Sequence, residues 1–308
     1  MQYSILAEAF EKMESTRKRL ELTQHLVELF EKTPHDVISK ITYLLQGKLR
    51  PDFEGIELGV AEKLAMRAIS KSSGIAIKKI EDEYNKGGDL GHAAAKILEQ
   101  KTQTTFLVEN ITVERVYETL FKIARLEGSK SQDMKIKYIS SLLNDANPLE
   151  ATYILKILLG TLRLGVAENT VMDALAIAYS GNKDNRKMLE HAYNVSSDLG
   201  KVAQTIAIGG IEGIEEFKIE LFNPIRPMLA DRVKSENEVI EKLGNEFAIE
   251  YKLDGERVQI HIEGDKIELF SRSLEKISNY YPDIIEKIPK TFQAENAILE
   301  AEIVAINE

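Results

Sequence analysis

The chain has 308 residues, 44% of them hydrophobic and 29% charged, a composition that suits a folded globular protein of about two domains. It has no cysteine, which excludes disulfides and thiolate metal sites and agrees with a cytoplasmic location. No apolar run approaches the roughly 18–20 residues of a membrane helix, and the five histidines have no spacing suited to zinc, so no metal ligands are assigned. The net charge of −10 argues against a polyanionic partner but is uneven: residues 1–222 carry 29 basic and 32 acidic side chains, and residues 223–308 carry 11 and 18. A near-neutral first part can still present a basic face, because association follows local potential rather than the sum.

In chain order, the N-terminal stretch MQYSILAEAFEKMESTRKRL is amphipathic and unlike a signal peptide. Tyr3, Leu6, Ala7, Phe10 and Met13 follow helical spacing, and residues 1–221 read as helix after helix. Thr33, Asp36 and Thr112 are candidate caps, and Ser129 precedes a further helical segment. Breaks fall at GKLRPDFEG, NKGGDLG, LEGSKS and NDANP. At FNPIRPMLA (222–230), Pro224 and Pro227 mark an extended entry segment. Beyond it FAIEYKL, RVQIHIEG, DKIELFSRS and AILEAEIVAI read as strands, with a hairpin turn at Glu263-Gly264-Asp265. The expectation is an all-helical domain over 1–221 followed by a strand-rich α+β domain over 222–308. A domain of that second size makes a marginal core, so it reads as one cut short.

The helical part repeats itself. GKLR (47–50) matches GTLR (160–163), LGVAEKLAMRA (58–68) matches LGVAENTVMDA (164–174), and GDLGHAAAKI (88–97) matches SDLGKVAQTI (197–206). Three blocks in the same order, about 110 residues apart, point to an all-helical pseudo-two-fold domain. Glycine lets a backbone approach its partner closely, and N–H groups at a helix start attract phosphate. Two such loop-plus-arginine units can grip both strands of a duplex through its backbone. The candidate contacts are Gly47, Lys48, Arg50, Gly59 and Gly91 in the first half, with Gly160, Thr161, Arg163, Gly165, Gly200 and Lys201 in the second. Plain helix caps with solvated neighbouring arginines account for the same glycines, and the pattern alone leaves both readings open.

The stretch EYKLDGERVQI (250–260) places a lysine two residues before Asp-Gly and five before an arginine. Packing an alternating strand does not require that pattern. An amine buried at a strand end near other cations loses proton affinity and can attack a nucleotide α-phosphate to give a phosphoramidate. In that chemistry Lys252 is the nucleophile, Asp254 orients it or holds Mg²⁺, Gly255 makes room, and Arg257 holds phosphate or ribose. Arg272 adds a cation, and Glu302 lies within a strand from which it can reach a ribose hydroxyl. A charged, solvent-facing hairpin is the competing account of the same residues.

Taken together these segments resemble ATP-dependent DNA ligases of the archaeal and eukaryotic replicative type. EYKLDGER (250–257) is similar to their nucleotidyltransferase motif I, FSRS (270–273) to motif Ia, and LEAEIV (299–304) to motif III, with Ala301 where glycine is usual. RPMLA (226–230) resembles the entry to the adenylation domain; FEGIELGV (53–60) and LRLGVAE (162–168) resemble parts of the helical DNA-binding domain. The likeness covers essentially the whole chain and is closest to the archaeal type. K-x-D-G is shared with capping enzymes and RNA ligases.

The resemblance implies a DNA-binding domain over 1–221 and the first part of an adenylation (nucleotidyltransferase) domain over 222–308. It implies ATP and Mg²⁺ as cofactors, AMP carried covalently on Lys252, and Glu250 accepting from the adenine amino group. Arg257 and Arg272 then contact phosphate or ribose, and Glu302 the ribose. Nicked double-stranded DNA is the implied partner of a monomer active in replication, repair and recombination, with a sliding clamp as a further partner and no membrane. Later family motifs have no counterpart before Glu308, so the 308 residues alone are expected neither to seal nicks nor to adenylylate themselves efficiently.

Overall fold

The helical spacing of Tyr3, Leu6, Ala7, Phe10 and Met13 produces the expected first helix, α1 (Tyr3–Glu14), which buries all five side chains. The computed structural model describes residues 1–100, 110–228 and 230–305. The chain falls into two units: Met1–Pro51, Gly55–Tyr193 and Asp198–Phe217 make the first, and Asp52–Glu54, Asn194–Ser197 and Lys218–Glu308 the second.

Helices α2 (Arg19–Glu31), α3 (Ile38–Leu45), α4 (Glu62–Ser73), α5 (Ile77–Gly87) and α6 (Leu90–Glu99) follow α1. After them come α7 (Val113–Ala124), α8 (Ser131–Asp145), α9 (Pro148–Leu158), α10 (Glu168–Ser180), α11 (Arg186–Ser196) and α12 (Leu199–Glu215). Their contacts are crosswise: α2 packs on α10 and α8 on α4, α3 on α12 and α9 on α6, α1 on α9 and α7 on α3. At the start of α1 and α7 the chain makes a short antiparallel bridge, Gln2 opposite Thr112, with Tyr3 N–H donating to Ile111 O and Val113 N–H to Met1 O, both at 2.9 Å.

Local chemistry recurs as well. Asp89 caps α6 by accepting from His92 N–H, and Asp198 caps α12 by accepting from Lys201 N–H. Gly74 ends α4 and Gly181 ends α10, both in the left-handed conformation that glycine adopts without strain. Thr112 caps α7 as expected. Thr33 and Asp36 do not act as N-caps: the Thr33 hydroxyl turns back to Leu29 O at 2.7 Å, and α3 begins after Val37 without a side-chain cap. Two ion pairs, each with one buried member, tie distant helices together. Lys156 on α9, 4% exposed, meets Glu14 of α1 at 2.8 Å, and Asp173 on α10, 1% exposed, accepts from Arg19 of α2 at 2.8 Å. Among the described residues no helix is long and apolar enough to cross a membrane.

The second unit contains a three-stranded antiparallel sheet of order β2-β1-β3, with β1 (Glu256–Glu263), β2 (Lys266–Ser271) and β3 (Asn296–Ile303). The β1–β2 turn carries Gly264 at φ 56°, where the sequence places it. Val258, Ile260 and Ile262 from one face of β1 join Leu269, Ile277 and Ile288 in a small core. Two helices of this unit, α13 (Glu236–Leu243) and α14 (Pro282–Thr291), were not expected from the pattern. The expected strand FAIEYKL (247–253) is not one: it has no pairing partner among the described residues, and Ile249 and Tyr251 are 85% and 96% exposed.

Candidate functional site

The sheet brings together side chains that are far apart in sequence. Arg257 is the second residue of β1 and lies opposite Glu302 of β3. On the other side β2 pairs as far as Ser271 with Val258, and Arg272 stands in the turn that follows. Directly opposed antiparallel residues project to the same face. Arg257 and Glu302 thus share a face, and together with Arg272 they line a cleft of about 660 Å³. Glu250, Tyr251, Lys252 and Leu253 form a further part of the cleft lining, and Met228 and Ala230 of the entry segment complete it.

Lys252 lies ahead of β1 and is exposed, so the expectation of a buried amine at a strand end is corrected. It has no neighbouring strand among the described residues to cover it. Asp254 is also exposed and is absent from the cleft lining. Gly255 has a packing reason: a Cβ there would come within 2.3 Å of Ile303 O and 3.0 Å of Glu302 Cγ. No side chain fits where β3 passes so close, so the Asp-Gly step admits β3 and with it Glu302.

The Arg257 guanidinium does not stand alone. It donates to Glu300 Oε2, while Gln259 Nε2 donates to Glu300 Oε1 at 3.1 Å. The Arg257 hydrogen bond holds the Glu300 carboxyl below the usual carboxylate range, helped by Gln259. With Lys252, Arg257 and Arg272 facing Glu250 and Glu302, the lining carries one more positive than negative charge, a balance suited to a phosphate-bearing ligand. Among the described residues no group of three or more His, Asp or Glu could hold a metal ion.

Sequence reasoning missed Gln259 and His261. Both lie on the strand face that alternation assigns to solvent, yet they are 6% and 0% exposed. The entry segment covers them: Phe222 N–H donates to His261 Nδ1 at 2.8 Å and Ile225 N–H to Gln259 Oε1 at 2.7 Å. Burial pulls the His261 imidazole down to about 4, so it is neutral at physiological pH. Two prolines in FNPIRPMLA were the available signal, since an extended run beside a strand needs side chains to satisfy its backbone.

In the helical unit the candidate contacts divide into two kinds. Gly47 and Gly160 close α3 and α9 in the same way. Lys48 N–H bonds Tyr43 O at 3.0 Å and Gly47 N–H bonds Leu44 O at 2.9 Å; Thr161 N–H bonds Lys156 O at 2.9 Å and Gly160 N–H bonds Ile157 O at 3.1 Å. These are paired Schellman closures, and they account for the positive φ of both glycines. Gly91 and Gly200, expected at the interface, are instead buried packing positions. A Cβ on Gly91 would meet Thr152 O at 2.7 Å, and one on Gly200 the Tyr43 ring at 2.3 Å.

The other kind stays accessible. Gly59, Thr161, Arg163, Gly165 and Lys201 are exposed, and Lys48 and Arg50 are half-buried. Gly59 and Gly165 have φ of 53° and 68°, and each lies just ahead of a helix, α4 or α10. In both helices the first-turn glutamate is held by a tyrosine: Tyr84 donates to Glu62 at 2.7 Å and Tyr193 to Glu168 at 2.5 Å.

Residues 2–176 match the family model described as DNA ligase N terminus, and residues 227–308 match the ATP dependent DNA ligase domain. The whole chain is 82% identical to a DNA ligase of Nitrosopumilus maritimus and 67% identical to one of Cenarchaeum symbiosum, in each case covering 52% of that protein. A probable DNA ligase of Aquifex aeolicus is 44% identical over 310 aligned residues, with 52% of it covered. The chain therefore spans about half the length of the curated relatives it matches.

Proposed function

This chain belongs to the ATP-dependent DNA ligase family, and from that premise we propose that the full-length protein seals nicks in duplex DNA through a lysyl-AMP intermediate on Lys252. One observation carries the reading: Glu250, Lys252, Arg257, Arg272 and Glu302, drawn from three separate motifs, line a single cleft.

In the first step the Lys252 amine attacks the α-phosphorus of ATP. A P–N bond forms, the bond to pyrophosphate breaks, and the amine gives up a proton. Arg257 and Arg272 offset phosphate charge, Glu250 accepts from the adenine amino group, and Glu302 holds the ribose. Gly255 admits β3 to that position, while Asp254, outside the lining, is left with orienting the lysine loop. A 5′-phosphate oxygen at a nick then attacks the AMP phosphorus, the P–N bond breaks and the Lys252 amine leaves with a proton regained; attack by the 3′-hydroxyl then forms the phosphodiester and expels AMP. Mg²⁺ supplies charge neutralisation at the phosphates in such chemistry; the described residues do not by themselves form its site.

The helical residues 1–221 act in this reading as the DNA-binding domain and residues 222–308 as the first part of the adenylation domain. We further propose that the helical domain is a pseudo-two-fold assembly. Supporting this are the reciprocal contacts (α2 with α10 and α8 with α4, α3 with α12 and α9 with α6), the bridge between the starts of α1 and α7, and the matched caps Asp89 and Asp198. Two like surfaces, one around Lys48, Arg50 and Gly59 and one around Thr161, Arg163 and Gly165, then suit two backbone strands. Binding through phosphates is independent of sequence and weakens with salt.

The test is covalent labelling of the full-length protein with α-labelled ATP or GTP. Label retained from ATP alone, and lost in Lys252→Ala, supports the ligase. Label from GTP points instead to a capping enzyme, and none from either nucleotide to a non-catalytic DNA-binding module.

A further inference from the structure

Gln259 has a side chain with every hydrogen-bonding position in use. Its Oε1 accepts from Ile225 N–H at 2.7 Å and from His261 Nε2 at 2.8 Å; its Nε2 donates to Ile225 O at 3.3 Å and to Glu300 Oε1 at 3.1 Å. A primary amide has two acceptor and two donor positions, so the set is complete. It is also directional. His261 takes the Phe222 N–H on Nδ1, which leaves its own proton on Nε2 and aimed at the amide oxygen. A flipped amide would set donors against the Ile225 N–H and His261 Nε2–H, and its oxygen against the Ile225 carbonyl and the Glu300 carboxylate.

The consequence reaches the cleft from two sides. Through Ile225 the amide pairs with the entry segment as a neighbouring strand would, three residues before Met228 of the cleft lining. Through Glu300 it touches the carboxylate whose other oxygen holds Arg257. We propose that Gln259 is a positioning residue for nucleotide transfer, fixing the entry-segment wall and the Arg257 guanidinium in one frame, with His261 locking the amide's direction. This rests on the ligase reading above and adds a residue that touches no reacting atom. A filler role in the core predicts lost stability only, whereas the shared Glu300 predicts a slower reaction in protein that is still folded.

The experiment uses the full-length protein and single-turnover transfer of label from α-labelled ATP to Lys252. Gln259→Met keeps length and volume while removing all four bonds. At a temperature where circular dichroism shows the variant folded, the rate constant is expected to fall roughly 10- to 100-fold, the range for a small misplacement of reacting groups. In a Glu300→Ala background the same substitution is expected to slow transfer at least about threefold less, because part of its effect passes through Glu300. An unchanged rate in the single variant, or the same loss in both backgrounds, overturns the proposal. Should Gln259→Met not fold, His261→Asn, which withdraws the donor that sets the amide, goes through the same cycle and is judged by the same two criteria. Wild-type protein that takes up no label overturns the ligase reading and this inference with it; labelled wild type with unaffected variants overturns the positioning role alone.

Discussion

In the helical unit, Asp89 caps α6 as Asp198 caps α12, Gly47 closes α3 as Gly160 closes α9, and Tyr84 holds Glu62 as Tyr193 holds Glu168. In the sheet unit, the proposed reaction gives Lys252, Gln259 and Gly255 each a role that no second residue duplicates among the described residues. A surface that meets an extended, repetitive polyanion gains from having its contacts twice. A covalent step has one nucleophile and one trajectory. Damage should therefore be partial and shared in the first unit, and close to total at single positions in the second.

The sharpest test of that contrast is Lys252→Ala. We expect no detectable covalent labelling of the full-length protein, while its affinity for nicked duplex, read by fluorescence anisotropy, stays within about twofold of wild type because phosphate contacts dominate binding. A large drop in affinity would break the division of labour between the units.

Acid should act next most strongly, and on the sheet unit. The His261 imidazole titrates at about 4 in the folded protein against 6.5 in the unfolded chain, so the unfolded state binds the extra proton between those values. Its contribution is complete above pH 6.5 and disappears as pH falls toward 4. Glu268 lies directly opposite it on β2, and Lys266 lies over the ring of Phe222, which itself stands beside the imidazole. Thermal melting between pH 7 and pH 5 should show this slope in wild type and lose it in His261→Asn. Parallel slopes would mean that the ring is solvated.

The same two residues show where the sequence was readable and where it was not. The helices emerged because a 3.6-residue period sustained over many turns has few alternatives, and the repeat because its glycines and aspartates fall at matching intervals. Gln259 and His261 were missed because period-2 alternation gives only the two faces of a strand, and what covers each was signalled only by the prolines of the entry segment. Helix α13 had a usable signal, Ser235 capping Glu238 N–H, but α14 is obscured by Pro282 at its start and Pro289 within it. FAIEYKL has the pattern of a strand and lacks a partner, and pairing is not a local property. The cleft was legible in its residue types, because K-x-D-G-x-R, S-R and E-A-E name them; that Arg257 meets Glu302 depends on the register of β1 with β3.

A pair of glycine substitutions probes the repeated architecture itself. Gly91→Ala drives a methyl toward the Thr152 carbonyl and Gly200→Ala drives one into the Tyr43 ring. Each should destabilise the helical unit by about 1–3 kcal/mol, the usual cost of overpacking. The Thr152 carbonyl is backbone with little freedom to withdraw, and the Tyr43 ring is fixed by its hydrogen bond to Asp198 at 2.7 Å. Similar losses in both halves, measured by denaturant unfolding, fit the proposed pseudo-two-fold. A loss in one half alone would show that the two packing sites are not energetically equivalent.

The smallest effects belong to the matched arginines. Arg50 and Arg163 follow Gly47 and Gly160 by three residues each, on loops that leave α3 and α9 through the same closure. If each meets one strand of a duplex, Arg50→Ala and Arg163→Ala should weaken binding by similar amounts. Each should lower the slope of log affinity against log salt by about one phosphate's worth, and the double variant should show the sum within error, since independent contacts add. Anisotropy titrations on nicked duplexes of unrelated sequence, at two or more salt concentrations, read all three quantities. A slope that changes for one arginine and not the other would leave a single phosphate-gripping loop, and the repeat would then be an economy of folding rather than a device for holding two strands.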